Sequence, residues 1–427
     1  MATIPREKSF DSSIALLRDG FRFIQKRCQH HHSDVFSTRF VFQPTICLTG
    51  EDGARLFYDT SRFIRKGAVP EPIQHTLLGE QSVMTLDDEL HRQRKQLFMA
   101  ILAPDNFRVL LKHMADGWQT ATKRWARTNE PVILMEQTQQ LLCRAVCDWV
   151  GMPLPDREVA HRSRDMARMV DAFGGIGLRH LRGRWARYRT ERWARHFIEQ
   201  VRKGNQLVAT GSPAHRIATH REPNEQGKMR HLSAQLAGVE LINLIRPTVA
   251  ISWYITFAAL ALHEHPAWRH RLQTATDTEL GWFANEVRRY YPFAPMTGAR
   301  VRQAFVWRGF RFPKETLVLL DLYGTNHDTR LWENPDRFWP ERFAEHTANS
   351  FNFIPQGGGD YLGGHRCAGE ALTQEAIKLA LRFLTRQITY EVPAQNLGFS
   401  LSRMPTHPRS GFVMTNIRLT SAAREER

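Results

Sequence analysis

The stretch FIPQGGGDYLGGHRCAGEALTQEAIKLAL, residues 353–381, decides how the rest of the chain is read. Cys367 closes a glycine-rich loop, and an amphipathic helical pattern begins at once. The N–H groups and macrodipole at a helix start favour an anion, so this position favours a thiolate. N–H donors aimed at the sulfur also tune a bound metal. The run of glycines from Gly357 to Gly364 lets backbone approach a flat ligand closely. A phosphate-binding loop has a similar outline, but these spacings match neither the Walker nor the dinucleotide pattern.

Two upstream segments extend this reading. In WFANEVRRYYPFAP, residues 282–295, Glu286 and Arg289 stand i,i+3 on one helix face in apolar, aromatic surroundings, which suggests a buried pair. The irregular segment GTNHDTRLWENPDRFWPERF, residues 324–343, supplies Arg342 to complete a Glu286–Arg289–Arg342 network.

The chain has 427 residues, 42% hydrophobic and 24% charged, which excludes disordered, collagen-like and coiled-coil classes. No repeat or composition break divides it, and one domain over residues 1–427 is expected. The net charge of +16 attracts anions in general. No basic run or basic–aromatic tract points to nucleic acid, so none is expected as a partner, whereas weak contact with acidic membrane surfaces fits the charge. The basic stretch Arg179 to Lys203 carries aromatics at helical spacing and reads as a solvated amphipathic helix. The odd count of five cysteines argues for a reducing compartment, with Cys143 and Cys147 as core thiols and Cys28 in a surface loop beside His30, His31 and His32. The charged N-terminus shows no export signal, and the apolar run Pro247 to Leu262 is shorter than the roughly 20 residues a bilayer span needs, so a cytoplasmic protein with a buried core helix is expected.

Helical patterning runs from about 84 to 205, 231 to 264, 275 to 291 and 367 to 386. Strand-like pieces occupy 39–50, 299–320 and the tail, and 221–230 is a polar break. The expected fold class is mainly α with small β-sheets.

Glu286-x-x-Arg289, then Asn326-His327-Asp328 through Phe338-Trp339-Pro340-Glu341-Arg342-Phe343, then GHRCAGE, resembles the cytochrome P450 family of haem-thiolate proteins over residues 10–420. The resemblance implies the cytochrome P450 fold, with haem b between the long central helix and the cysteine loop. It implies Cys367 as the axial iron ligand and Glu286, Arg289 and Arg342 as structural core. His91, Lys95 and Arg65 are the implied haem-propionate partners, and Gln356 a further cofactor-loop residue. Thiolate ligation pushes electron density toward iron.

The central helix departs from the general pattern. Ala237-Gly238-Val239-Glu240 is followed by Leu241 where ordinary members carry an alcohol. Further on, VELINLIRPTVAIS places Arg246-Pro247 in an apolar helix. Proline removes an i→i−4 hydrogen bond and opens the helix near Asn243. A buried arginine is costly unless paired, and positions 242, 243, 249 and 250 hold no acid. Arg-Pro here, with PQGGGD…GHRC, is similar to the bacterial fatty-acid peroxygenase and decarboxylase branch of the family. That resemblance implies hydrogen-peroxide-dependent oxidation of long-chain fatty acids at the α or β carbon, giving hydroxy acids or terminal alkenes. The substrate carboxylate, gripped by Arg246 beside Pro247, replaces the missing acid–alcohol pair as general acid–base, with no obligatory redox partner. Leu78, Met84, Phe173, Phe293 and Met296 are the implied walls of the alkyl channel. Met84 departs from the Gln or His usual there, and Asp360 from the usual phenylalanine. The competing reading is a conventional O2- and NAD(P)H-dependent monooxygenase with redox partners.

Overall fold

The computed structural model describes residues 3–128, 130–224, 226–345 and 347–421. Its core is organised around one 31-residue helix, Ala234–Glu264, which we call the central helix. Ser233 starts it by accepting a hydrogen bond from the Leu236 N–H. A helix apolar all round must be covered on all sides, and Ala237 to Leu262 are buried at every position except Pro247. This helix has the length and hydropathy of a membrane span, but 94% of its most apolar window lies inside the protein. Each buried Leu, Ile or Phe of that window contributes about 1.5–3 kcal/mol.

Around it pack Leu134–Val150, Leu178–Arg202, Asp277–Tyr290 and Glu370–Arg382. The helical pattern expected over 84–205 is broken into Asp88–Ile101, Pro104–Thr128, Leu134–Val150, Asp156–Asp171 and Leu178–Arg202. Pro104, Gly151 and the Gly174–Gly177 turn interrupt it, with Gly151 at φ +84 ending the third helix. Cys28, expected in a loop, is buried on the helix Phe23–His31. Among the described residues no group of His, Cys and acidic side chains is arranged to hold a metal ion, so the neighbouring histidines are a helix end. Cys143 and Cys147 are core thiols.

The main sheet runs in the order Val35–Phe40, Gln43–Leu48, Leu317–Asp321, Met296–Val301, Phe63–Ile64. Leu317 pairs with Thr45 in parallel and with Arg300 antiparallel. This carries Pro295 and Met296 from the end of the Glu286 helix toward the N-terminal layer. The polar break at 221–230 is a small hairpin, Arg221–Pro223 with Met229–His231. The architecture is mainly helical with small sheets, as expected.

Candidate active site

The loop before the last long helix holds Cys367 at its rim. The helix begins at Glu370, three residues later than its pattern suggests, because Cys367 to Gly369 form a turn. The Cys367 N–H donates to the Gln356 carbonyl at 3.3 Å, and the Gln356 side-chain Nε2 lies 3.7 Å from the sulfur. Gln356 is itself held: its Oε1 accepts from Arg288 Nε at 3.1 Å, and its Nε2 donates to Thr373 at 3.1 Å. Arg288 also pairs with Glu370, which accepts from Arg366 Nε at 2.6 Å. This Arg288–Glu370–Arg366 group, its Arg288 and Glu370 buried, braces the loop. Most loop glycines face protein: a Cβ at Gly358 would sit 2.3 Å from the Ser350 carbonyl, so close packing of the loop on itself requires glycine there. Asp360 accepts from the Leu362 and Gly363 N–H groups at 3.0 Å each, shaping the turn.

Burial and the Glu370 carboxylate push the Cys367 thiol up, against the pull of the Gly369 N–H and the Lys95 and Arg288 cations. A bound metal would favour the deprotonated sulfur.

Across from the loop, the central helix has a distinct face. Pro247 is its one exposed residue between Ala237 and Leu262, so open space lies against the middle of an otherwise covered helix. Asn243 Oδ1, Arg246 Nη1 and Tyr254 Oη have no hydrogen-bond partner among the described residues though all three atoms are buried. Positions 243, 246, 247 and 254 share one face by the helical period. The Tyr254 ring lies tilted against Phe293, 4.7 Å between ring centroids.

Arg246 is 4% exposed, and no carboxylate among the described residues pairs with it. Burial, then the nearby Arg187 cation, lower its pKa to about 9, and Glu240 only partly offsets this. Holding its charge there costs about 5 kcal/mol. Glu240, the acid of the Ala-Gly-Val-Glu run, is fully engaged elsewhere. Its Oε1 accepts from Arg94 and the Val83 N–H at 2.8 Å each, and its Oε2 from Asn243 at 3.0 Å. Arg94 in turn pairs with Glu222 from the small hairpin. Glu240 thus anchors the Val83–Thr85 turn that presents Met84. Its own carboxyl is raised by burial.

Arg65, His91 and Lys95 come together and are buried. The His91 and His365 rings stack at 3.7 Å. Burial, then Lys95 and Arg65, lower His91 to about 4. Arg65 donates to the Gly298 carbonyl at 2.8 Å and Lys95 to the Arg366 carbonyl. Among the described residues neither cation pairs with a carboxylate through its side chain. Two cations without an ion pair among the described residues, beside two stacked imidazoles, a lone thiol and the space against Pro247, fit a haem: Cys367 would hold its iron and Arg65, His91 and Lys95 its propionates. The donor set suits an anionic, thiolate-ligated cofactor.

Glu286, Arg289 and Arg342 form one buried network. Arg289 grips Glu286 bidentately at 2.7 and 2.8 Å, and Arg342 Nε reaches it at 3.2 Å. Arg289 also donates to the Asn326 and Pro335 carbonyls at 2.9 Å each, and Asn326 Oδ1 accepts from the Ile354 N–H at 3.0 Å. The network therefore reaches the cysteine loop.

The expected channel residues are less uniform. Leu78 lies at the end of the Gln74–Leu78 turn and Phe173 in the Ala172–Gly174 turn, both partly buried. Phe293 packs with Trp253, Ala250 and Val170, and Leu77 joins that cluster. Met296 instead packs with Phe23, Phe36 and Cys47 in the N-terminal layer. The reading of Arg179–Lys203 as a solvated helix missed Arg187, which is 3% exposed and leaves Nη2 unpartnered. It donates to the Leu77 carbonyl at 3.0 Å and to Glu191 at 2.5 Å, tying the Gln74–Leu78 turn to its own helix.

The Cytochrome P450 family profile matches residues 280–415. Among curated proteins, cytochrome P450 1A2 of Pongo abelii is 31% identical over 168 residues. That match spans 34% of this chain and about a third, 31%, of the relative's length. Putative cytochrome P450 135B1 of Mycobacterium bovis is 23% identical, over 90% of this chain and 84% of the relative. Solved structures are similar over nearly the whole chain. Cytochrome P450SP alpha (CYP152B1) in complex with (R)-ibuprophen is 43% identical, with TM-score 0.92, covering 96% of this chain and 99% of that one. Cytochrome P450EX alpha (CYP152N1) with myristic acid is 38% identical, with TM-score 0.93, covering 98% and 100%. A variant of cytochrome P450 OleT in complex with arachidonic acid is 31% identical, with TM-score 0.93, covering 98% and 99%.

Proposed function

The chain belongs to the cytochrome P450 family, and on that footing we propose that it oxidises long-chain fatty acids with hydrogen peroxide, at the α or β carbon. Hydroxylation turns fatty acid and peroxide into hydroxy acid and one water. Decarboxylation turns them into a terminal alkene, carbon dioxide and two waters. Hydrogen peroxide is the oxidant in either outcome, and the bound haem would supply the iron that activates it.

The observation that carries this reading is Arg246: a buried guanidinium with no acidic partner among the described residues, on the helix face where Pro247 meets open space. Its planar fork suits a carboxylate, and binding one offsets the cost of burying the charge. The related proteins carry fatty acids, myristic acid in one and arachidonic acid in another. Fixing the carboxylate fixes which carbons lie near the reacting centre, namely those next to it. The bound carboxylate is also the proton carrier for peroxide cleavage. On the central helix Glu240 is held by three donors, and Leu241 has no titratable group. Phe293, Met84 and the Gln74–Leu78 turn would wall the alkyl chain. Such an enzyme works as a soluble cytoplasmic protein without a reductase.

The test is purified, haem-loaded protein with hydrogen peroxide and a panel of saturated fatty acids, products being identified by mass spectrometry. Hydroxy acids or alkenes without reductase are expected. Turnover that requires a reductase and dioxygen, and that accepts the methyl esters equally, would overturn the reading.

A further inference from the structure

The helix Leu178–Arg202 buries one face, through Gly183, Ala186, Arg187, Thr190 and Ala194. Its opposite face carries a stripe of large apolar residues that nothing covers. Leu178, Leu181, Trp185 and Tyr188 are 71, 53, 62 and 53% exposed. Spacings of three, four and three residues put them in one line along the helix. Trp185 and Tyr188 meet edge to face at 6.2 Å. At its N-terminal end the stripe continues into the turn before the helix, where Ile176 is 68% exposed.

Basic side chains predominate along the stripe. From 172 to 190 the sequence contains five arginines and no acidic residue. Arg179 and Arg189 pair with Asp171 and Asp165. Arg182, Arg184 and Arg192 are exposed and form no ion pair among the described residues, and Arg192 lies 5.7 Å from the Tyr188 ring. An outward face of leucine, tryptophan and tyrosine bordered by unpaired arginines is what a helix lying in the headgroup layer of a bilayer presents. A protein partner would need its own acidic rim around an apolar groove. A lipid surface offers both as a continuum, and the overall charge of +16 draws the chain toward it.

We propose that this face docks the protein on anionic lipid bilayers, the apolar stripe entering the headgroup layer and Arg182, Arg184 and Arg192 meeting lipid phosphates. The same helix holds the Gln74–Leu78 turn through Arg187, so the docked face lies directly behind that turn. The docking stands whether or not the substrate is a fatty acid.

Full-length, haem-loaded protein is sedimented with vesicles of phosphatidylcholine alone or of phosphatidylcholine with phosphatidylglycerol. Binding is expected to the anionic vesicles and to weaken with salt. Replacing Arg182→Gln and Arg184→Gln together lowers partitioning roughly thirtyfold. Leu181→Ser with Trp185→Ser lowers it at low salt as well. Arg221→Gln with Arg230→Gln, which removes equal charge from the exposed hairpin, leaves it nearly unchanged. All variants keep the turnover of soluble substrate, because none touches the candidate site. The proposal is overturned if wild type ignores anionic vesicles, or if the hairpin variant loses as much binding as the helix variants. It is equally overturned if Trp185 instead supports a dimer by light scattering that excludes vesicles.

Discussion

Glu240 and Arg246 lie six residues apart on one buried helix, yet they are not partners. Both carboxylate oxygens of Glu240 are taken by Arg94, Asn243 and the Val83 N–H, and Arg246 Nη1 has no partner. The helix supplies an acid and a base and spends the acid on architecture, so the guanidinium stays open to a ligand.

That arrangement sets function against stability at Arg246. Replacing Arg246→Met removes a buried charge that has no counter-ion among the described residues, and such removals are often neutral or stabilising. The fatty-acid-free variant is expected to melt at the same temperature as wild type or higher, and still to bind haem. Its kcat/KM for fatty-acid oxidation should fall on the order of a hundredfold or more. Calorimetry and peroxide-driven turnover check the two halves, and near-normal turnover would remove the carboxylate from the mechanism.

Gln356 is placed to tune the sulfur rather than to bind it. Its amide is the side-chain donor 3.7 Å from Cys367 Sγ. In Gln356→Leu the sulfur loses that donor and passes more electron density to iron. The haem reduction potential should become more negative, measured by spectroelectrochemistry. Cys367→Ser should abolish the thiolate-type carbonyl spectrum altogether.

The Glu286 carboxylate is the shared ion-pair partner of two buried guanidiniums and accepts the Trp339 N–H at 2.8 Å. Glu286→Ala strands both cations, at a cost of about 3–5 kcal/mol against a total stability of roughly 5–15 kcal/mol. Little folded, haem-containing protein is expected. Arg342→Leu leaves the bidentate Arg289 pair and should be milder, which chemical denaturation of the two variants compares.

Acid sensitivity should centre on Glu222. Burial raises its carboxyl, but hydrogen bonds from His220 and Arg94 outweigh this and hold it at about 2. A carboxylate depressed in the folded state stabilises above its unfolded pKa of about 4.5 and loses that contribution as pH falls through about 2. Stability should therefore drop between these values, and Glu222→Gln should flatten that limb of the denaturation profile.

Much of this was legible in residue order. A lone cysteine after glycines, a Glu-x-x-Arg pair in aromatic surroundings and Arg-Pro in an apolar helix are local patterns, and the structure keeps each on the element expected of it. Helix ends were legible only where glycine or proline marked them, so the long pattern over 84–205 concealed its breaks. Arg187 and Arg288 were passed over because an arginine in a basic or amphipathic run looks solvated, and only the neighbouring helices and loops show which face is covered. Glu222 sat in a polar break that gave no sign of reaching Arg94, 128 positions away.

By itself the amino-acid sequence determined that a long, almost wholly apolar helix had to be the centre of the fold, and that Arg246 would be buried in it, because burial follows from local composition and periodicity. Which buried charges neutralise each other was decided by tertiary structure alone. Pairing depends on side chains brought together from distant segments, and it is that pairing, completed for Glu240 and withheld from Arg246, that leaves the central helix's arginine for a ligand.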